Sequence, residues 1–336
     1  MSIGHCIFTT FNKAYAAQAI CMAESFRSNH GSEIKIIAVI VDVLTEQEKN
    51  YFSIFDEIIY PKDLNIPHFD AWIFGLDIFE AATAMKSFAF CYLLDRYSHV
   101  TYVDPDTICY SKLEEVLDPS CSWDLALTPH YIEPKSGRWL VESTELESLK
   151  FGVYNLGFLS IRSTSNGKVI ARWWRDRCYE YGVTNAKKGL YADQKFFDLA
   201  LCLFDRVHIL KHDGYNVASW NLSERTVEFI NNELTSNLLP LRFCHYTKAL
   251  STGALVMEQM HIKDSLFIEL LYVYISMLRE KNATFMNFNN KWHYGFFKDG
   301  TEISSDIKIK FRNLVDRFEL GNPFNNKEEI MLILNR

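Results

Sequence analysis

No two cysteines of this 336-residue chain have C-x-x-C spacing; the eight stand at positions 6, 21, 91, 109, 121, 178, 202 and 244, mostly within apolar stretches. That scatter argues against a structural zinc site and against a disulfide scaffold. An excess of basic charge is missing too. With 35 Lys and Arg against 42 Asp and Glu, the net charge of -7 offers no sequence-independent grip on nucleic acid or on an anionic membrane. The longest apolar run, LFIELLYVYISML at 266–278, contains Glu269 and falls short of the ~20 residues of a membrane span, so it reads as a buried helix. The opening MSIGHCIFTT has neither a basic segment nor a long apolar one, reads as a first strand, and points to a reducing cytoplasm. On that reading the N-x-S/T sites at Asn221 and Asn282 carry no glycan. Repeats, low-complexity tracts and glycine-serine linkers are absent as well, so the parts of the chain are expected to pack together.

What is present is alternation. CIFTT is followed by the helical AYAAQAICMAESFRS and then by IKIIAVIVD, apolar on both faces as a central parallel strand is. The pattern continues with a helix over 83–97, strands over 99–103, 123–128 and 157–162, helices over 167–180 and 193–203, and a strand over 206–210. An open, mostly parallel α/β sheet flanked by helices is the simplest host. Beyond about residue 250 the strand signals fade, leaving a helix near 263–280, the aromatic FMNFNNKWHYGFFKDG and a last helix near 305–318. The expected organisation is a sheet domain over 1–250 with a smaller, largely helical extension over 251–336 packed on it, its Trp292, Tyr294, Phe296 and Phe297 buried against the sheet domain.

The sheet domain carries its clearest chemistry in TYVDPDTICY, residues 101–110. Asp104 and Asp106 fall at the carboxyl end of a strand, where open α/β sheets bind ligands, and Pro105 presets the turn between them. Two hard oxygen donors one residue apart suit Mg²⁺ or Mn²⁺ with a phosphate completing the shell. The plain alternative is an Asp-rich turn that only closes the strand, since a chain of this length holds roughly one D-x-D by chance. A strand followed by D-x-D-x-T, with Thr107 in place, also opens the haloacid-dehalogenase phosphatases. That family needs a later G-D-x-x-x-D, which this chain lacks.

TTFNKAYAAQA, TAMKSFAFCYLL before VTYVDPDT, VYNLGFLSIR, YADQKFFD and RFCHYTK together resemble the ordered landmarks of GT-A glycosyltransferases, in particular family 8 and related bacterial sugar transferases of polysaccharide and lipopolysaccharide assembly. The resemblance covers about residues 5–250. It implies a Rossmann-like GT-A fold and transfer of a hexose from a nucleoside diphosphate sugar, most readily a UDP-sugar, to a hydroxyl of a saccharide or glycolipid. It implies Mn²⁺ or Mg²⁺ on Asp104, Asp106 and His245, with Asp104 also near ribose or sugar. It implies nucleotide contacts from Thr9, Thr10, Asn12 and Tyr15, although Thr10 to Asn12 equally suit a helix cap. Lys86 would face the diphosphate or the sugar; a surface lysine is the alternative. Asn155 and Gly157 would meet the donor sugar, the glycine by permitting close approach. Asp193 and Gln194 would be catalytic, the carboxylate on the sugar hydroxyls and the amide near the anomeric carbon, family-8 likeness favouring retention; alternatively Asp193 caps a helix.

In HDGYNVASWNLSER, His212, Tyr215, Asn216 and Trp220 have the composition of a sugar cleft, or of an aromatic core corner. Lys248 would balance the diphosphate, but the family's H-x-x-G-x-x-K-P-W is here H-Y-T-K-A-L-S-T-G, with the lysine early and the glycine displaced. Trp173 and Trp174 read as packing. Cytoplasmic work, with room for attachment to the membrane's inner face, completes the picture. A non-catalytic carbohydrate-binding protein on the same fold is the other alternative.

Overall fold

The structure is a computed structural model that describes residues 3–249, 266–285 and 291–335. Strands β1 (Ile3–Phe11), β2 (Lys35–Ile40), β3 (Glu57–Ile59), β4 (Tyr97–Val103), β6 (Leu125–Pro129), β7 (Tyr154–Arg162) and β8 (Val207–Ile209) form one sheet in the order β3-β2-β1-β4-β7-β6-β8. Only β7 runs against its neighbours; the other pairings are parallel. The continuous apolar character of β2 has a direct cause. Ile36, Ala38 and Ile40 enter one core, Ile37 and Val39 the other, because helices cover both faces.

Among the described residues, the helices of six residues or more are α1 (Ala16–His30), α2 (Phe69–Phe74), α3 (Ile78–Leu94), α4 (Arg138–Ser143), α5 (Glu145–Phe151), α6 (Ser165–Tyr181), α7 (Leu266–Thr284), α8 (Ser305–Arg312) and α9 (Lys327–Leu334). Helix α3 begins at Ile78 rather than 83 because Asp77 and Glu80 form a reciprocal capping box. The helix expected over 193–203 is not continuous: a 3₁₀ turn at Lys195–Leu199 leads into a single α turn at Ala200–Leu203. The last expected helix stops at Arg312, followed by a 3₁₀ turn at Arg317–Glu319. No helix among the described residues is long and apolar enough to cross a membrane.

Two small sheets were not foreseen. One orders β10 (Val227–Ile230), β11 (Glu233–Ser236) and β12 (Leu239–Pro240); the other orders β5 (Thr107–Cys109), β13 (Phe243–His245) and β9 (Val217–Ala218). The second positions the site. Strands of two or three residues carry no legible period, and their pairing is a property of the folded chain.

Helix α7 lies on α1, where Lys281 Nζ meets Glu24 at 2.6 Å, and its Tyr274 ring stacks on Tyr246 at 4.7 Å. Phe297, Ile303, Phe311 and Ile330 pack with Ala71 and Phe74 of α2. Trp292 is buried and donates to Val41 O, whereas Tyr294 and Phe296 are half-buried. Residues 250–265 and 286–290, the latter within the expected aromatic stretch, lie outside the described residues.

Burial, partial at His5 and His99 and full at His30, lowers the basicity of several histidines. His5 and His99 stack at 4.2 Å between β1 and β4, bonded to Thr101 and Ser160 respectively. Burial, with Arg162 nearby, pushes His99 down to about 3, and burial with Lys112 and Arg242 pushes His30 down to about 4. Their depressed basicity stabilises the fold fully above the unfolded value of ~6.5 and is lost as pH falls from there toward 4. Urea unfolding is therefore expected to give a markedly lower stability at pH 5 than at pH 7.5, with a slope approaching ~1.4 kcal/mol per pH unit for each such histidine. Equal stability at the two pH values would contradict this.

Candidate active site

The D-x-D turn and the histidine meet because strands β5 and β13 pair antiparallel, with Thr107 opposite His245. Asp104 N donates to Gly157 O at 2.8 Å, Thr107 Oγ1 donates to Asp104 O at 2.8 Å, and Tyr246 N donates to Asp106 O at 2.8 Å. The turn is thus held on three sides, and Pro105 between the carboxylates is itself buried. His245 Nε2 lies 3.0 Å from Asp106 Oδ1 and 3.6 Å from Asp104 Oδ2. One donor atom from each of the three residues falls within 4.8 Å of the others. Two carboxylates and an imidazole make a suitable donor set for a divalent cation.

Lys86, in the middle of α3, is buried and reaches Asp104 Oδ1 and Asp193 Oδ2 at 3.3 Å each. Its ammonium also donates to Leu156 O at 3.1 Å and sits over the Tyr102 ring, 4.4 Å from its centroid. Burial works against its charge, but Asp104 and Asp193 overcome it and hold its pKa above the ordinary value. Burial also opposes the charge on Asp104, whose carboxyl is nevertheless held low by Lys86, His245 and the Tyr102 hydroxyl. For Asp193 burial wins: its carboxyl rises to about 6 despite Lys86, with Asp104 adding to the rise. Replacing Lys86 by Met would leave two carboxylates without their shared cation. We expect a loss of about 3 kcal/mol in denaturant unfolding, smaller at pH 5 than at pH 8 as Asp193 takes up a proton. A change below about 0.5 kcal/mol would show that the pair does not need the lysine.

Gly157, on β7, faces the cluster. A Cβ there would lie 2.5 Å from His245 Cε1, 2.6 Å from Asn155 Oδ1 and 2.8 Å from Asp104 Oδ2. The missing side chain is therefore what lets β7 pass beside the three donors. Asn155 Oδ1 accepts from Gly157 N and from Asn216 Nδ2 at 3.0 Å each, and Asn155 Nδ2 lies 3.2 Å from His130 Nε2.

The other expected residues divide. Thr9 Oγ1 and Asn12 Nδ2 are buried at the end of β1 without a hydrogen-bond partner among the described residues. Thr10 Oγ1 donates to Ala82 O and lies 3.2 Å from the Tyr102 hydroxyl. Asn12 precedes the first helical turn but makes no side-chain cap bond, so the capping alternative fails. Tyr15 is 43% exposed and close enough to Asp106 and Asp104 that, after burial, their charges raise its pKa. Trp220 packs its ring edge-on to His245 at 5.2 Å. Lys248 is exposed on a left-handed turn just after β13, while the displaced glycine lies outside the described residues.

Two readings need correction, the His212 and Tyr215 cleft and the Asp193 cap. Tyr215 is fully buried and donates its hydroxyl to Glu115, and His212 lies 3.2 Å from Glu115 Oε1, so both serve a Glu115–Arg242 ion-pair network and offer no free face to a sugar. Asp193 caps no helix, its carboxylate going to Lys86 while its carbonyl accepts from Trp174 Nε1. Gln194 is held by Leu156 N at its oxygen and by Phe151 O at its nitrogen, so its amide is engaged within the protein. Trp174 is buried packing, as expected.

Tyr102 and Thr247 were not singled out. Tyr102 donates to Asp104 Oδ1 at 2.5 Å, and Thr247 Oγ1 lies 2.8 Å from His245 Nε2. Each is two residues from a donor; for Tyr102 the period of a strand puts it on the same face as Asp104.

No family model matches the chain. The uncharacterized protein YfnD of Bacillus subtilis (strain 168) is 24% identical over 155 residues, 46% of this chain and 47% of that protein, so the match spans about half the length of the curated relative. The solved structures similar to it include glycosyltransferases. Galactosyltransferase LgtC, in complex with donor and acceptor sugar analogs, aligns with 82% of this chain and 95% of its own at 16% identity and a TM-score of 0.49. GlyE of Streptococcus pneumoniae TIGR4 aligns with 89% of this chain and 67% of its own at 16% identity and a TM-score of 0.47. The bifunctional WbbM covers 81% and 52% respectively, at 15% identity and a TM-score of 0.45. At these values the likenesses carry no functional argument; the site geometry has to do so.

Proposed function

We propose that the chain is a metal-dependent glycosyltransferase that moves a hexose from a nucleoside diphosphate sugar, with a UDP-sugar favoured, to a hydroxyl of a saccharide or glycolipid in bacterial surface polysaccharide assembly. The convergence of Asp104, Asp106 and His245 beside the buried Lys86–Asp193 pair carries the reading. A Mn²⁺ or Mg²⁺ on the three donors would neutralise the departing diphosphate, and the imidazole in the set favours Mn²⁺.

The chain's own residues supply the rest. Thr9 Oγ1 and Asn12 Nδ2 offer unspent polar atoms to a nucleobase beside the Tyr15 ring. Lys86 keeps Asp193 ionised and aimed, so its carboxylate can hold donor hydroxyls; tied in this way it is a poor base for the acceptor, which favours retention. An adjoining cleft of about 650 Å³, lined by His130, Tyr131, Trp139, Glu142, Phe151 and Trp220 among others, offers aromatic faces and polar groups to a saccharide acceptor. It takes the place of the His212 and Tyr215 cleft expected from the sequence. The reaction would run in the cytoplasm or on the inner face of the membrane.

Release of nucleotide from a panel of UDP-, GDP- and dTDP-sugars, with Mn²⁺, with Mg²⁺ and with chelator, tests the reading. Metal-dependent release from one donor supports it and names the sugar. Hydrolysis of a generic phosphomonoester with no donor turned over would favour the phosphatase alternative.

A further inference from the structure

The hydrogen bonds behind His245 form a directed chain whose polarity is fixed at a backbone group. Gly157 N can only donate, so the Asn155 atom it meets at 3.0 Å is the amide oxygen. That oxygen also meets the Asn216 side chain at 3.0 Å, which must therefore present its NH₂ there. The Asn216 oxygen is left to face His245 Nδ1 at 3.1 Å. The ring must then carry a hydrogen on Nδ1, so that in the neutral ring the lone pair lies on Nε2, the nitrogen that faces Asp104 and Asp106. The far end agrees: His130 Nδ1 donates to Val153 O at 3.3 Å, leaving its Nε2 to accept from Asn155 Nδ2 at 3.2 Å.

Asn216 is itself fixed. Its φ of 54° is a left-handed conformation that asparagine tolerates, and its carbonyl accepts from Asn221 Nδ2 at 3.0 Å and Arg225 Nη1 at 3.2 Å. The side chain is buried against Thr128 Oγ1 at 3.3 Å.

We propose that Asn216 is a positioning residue for the cation: through the Gly157–Asn155–Asn216 chain it locks His245 in the tautomer whose Nε2 can ligate. This rests on the metal-site reading above. It assigns Asn216 to the imidazole rather than to a sugar, and gives Asn155 an internal task besides any donor contact. Outer partners of this kind typically change metal affinity 10- to 100-fold.

The test is Mn²⁺ binding, followed by the paramagnetic resonance signal of free Mn²⁺, for the whole chain and for Asp106→Ala, Asn216→Gly and Asn155→Ala. Glycine removes the Asn216 amide without straining the backbone. Circular dichroism checks each fold, and Asn155→Ala keeps the question open to refutation if the glycine variant does not fold. We expect binding by the wild type, its loss in Asp106→Ala, and affinity about 10- to 100-fold weaker in Asn216→Gly and in Asn155→Ala. Histidine ring ¹⁵N shifts of the metal-free protein at alkaline pH, with the His245 signal identified by its loss in His245→Gln, should show hydrogen on Nδ1 in the wild type and a tautomer mixture in Asn216→Gly. A purely structural role would not move that signal. Wild-type affinity and an unchanged tautomer in folded Asn216→Gly, or wild-type affinity in folded Asn155→Ala, would overturn the proposal while the metal reading stands. No binding by the wild type would overturn the metal reading itself.

Discussion

Asp106→Ala is expected to lower metal-dependent nucleotide release by at least about 10²- to 10³-fold while leaving the protein folded. Asp106 is the donor most dedicated to the cluster, its Oδ1 being 3.0 Å from His245 Nε2. Asp104 has other tasks, since its carboxylate also engages Lys86 and the Tyr102 hydroxyl. Loss of Asp106 leaves two protein donors, one of them already neutralised by an ammonium, which is too little to hold a hard cation against water. The structural cost is small by comparison. The turn backbone is held by Tyr246 N and by Gly157 O, neither of which involves the removed carboxylate. His245 loses the partner that kept its pKa high against burial, and can respond by giving up its proton. Turnover and thermal unfolding measured on one preparation separate these effects. A folded variant turning over within about threefold of the wild type would remove Asp106 from the chemistry.

Gly157→Ala, the addition of one methyl group, is expected to damage the site almost as badly. Its Cβ would come within 2.5 Å of His245 Cε1 and 2.8 Å of Asp104 Oδ2, closer than real side chains approach. Gly157 O is bonded to Asp104 N, so β7 cannot retreat without drawing the D-x-D turn with it. The side chains must give way, and those are two of the proposed cation donors together with Asn155. Overpacking of this kind costs about 1–3 kcal/mol of stability, visible as a lower unfolding midpoint. The larger effect should be on Mn²⁺ affinity, a loss of 100-fold or more, since an error of an ångström in ligand placement cannot be absorbed by the ion. An alanine variant that binds Mn²⁺ like the wild type would show that the donors gather elsewhere than the structure places them.

The large elements were legible in the sequence because they bury both faces of a sheet. IKIIAVIVD could be read as a central strand from composition alone, and Ile36 and Ile37 do enter opposite cores. The D-x-D turn was legible from its place after an apolar strand. Its union with His245 was not derivable from spacing; it depends on the Thr107–His245 register of two three-residue strands, and only the resemblance brought that histidine forward. The sugar-cleft composition of 212–225 misled in part. Tyr215 has a hydroxyl that a buried site must satisfy, and Glu115, a hundred residues away in the chain, satisfies it at 3.0 Å. Asn216 is the reverse case: its sequence neighbourhood suggests a sugar contact, but its place comes from three hydrogen-bonding neighbours distant along the chain, Thr128, Asn155 and His245.

Manganese-edge anomalous diffraction from crystals grown with Mn²⁺ and UDP tests the central claim most directly. The account expects one strong peak at coordination distance, roughly 2.0–2.3 Å, from an oxygen of Asp104, an oxygen of Asp106 and His245 Nε2, with the diphosphate on its open side. A peak elsewhere, or diphosphate bound with no metal among these three residues, would contradict it.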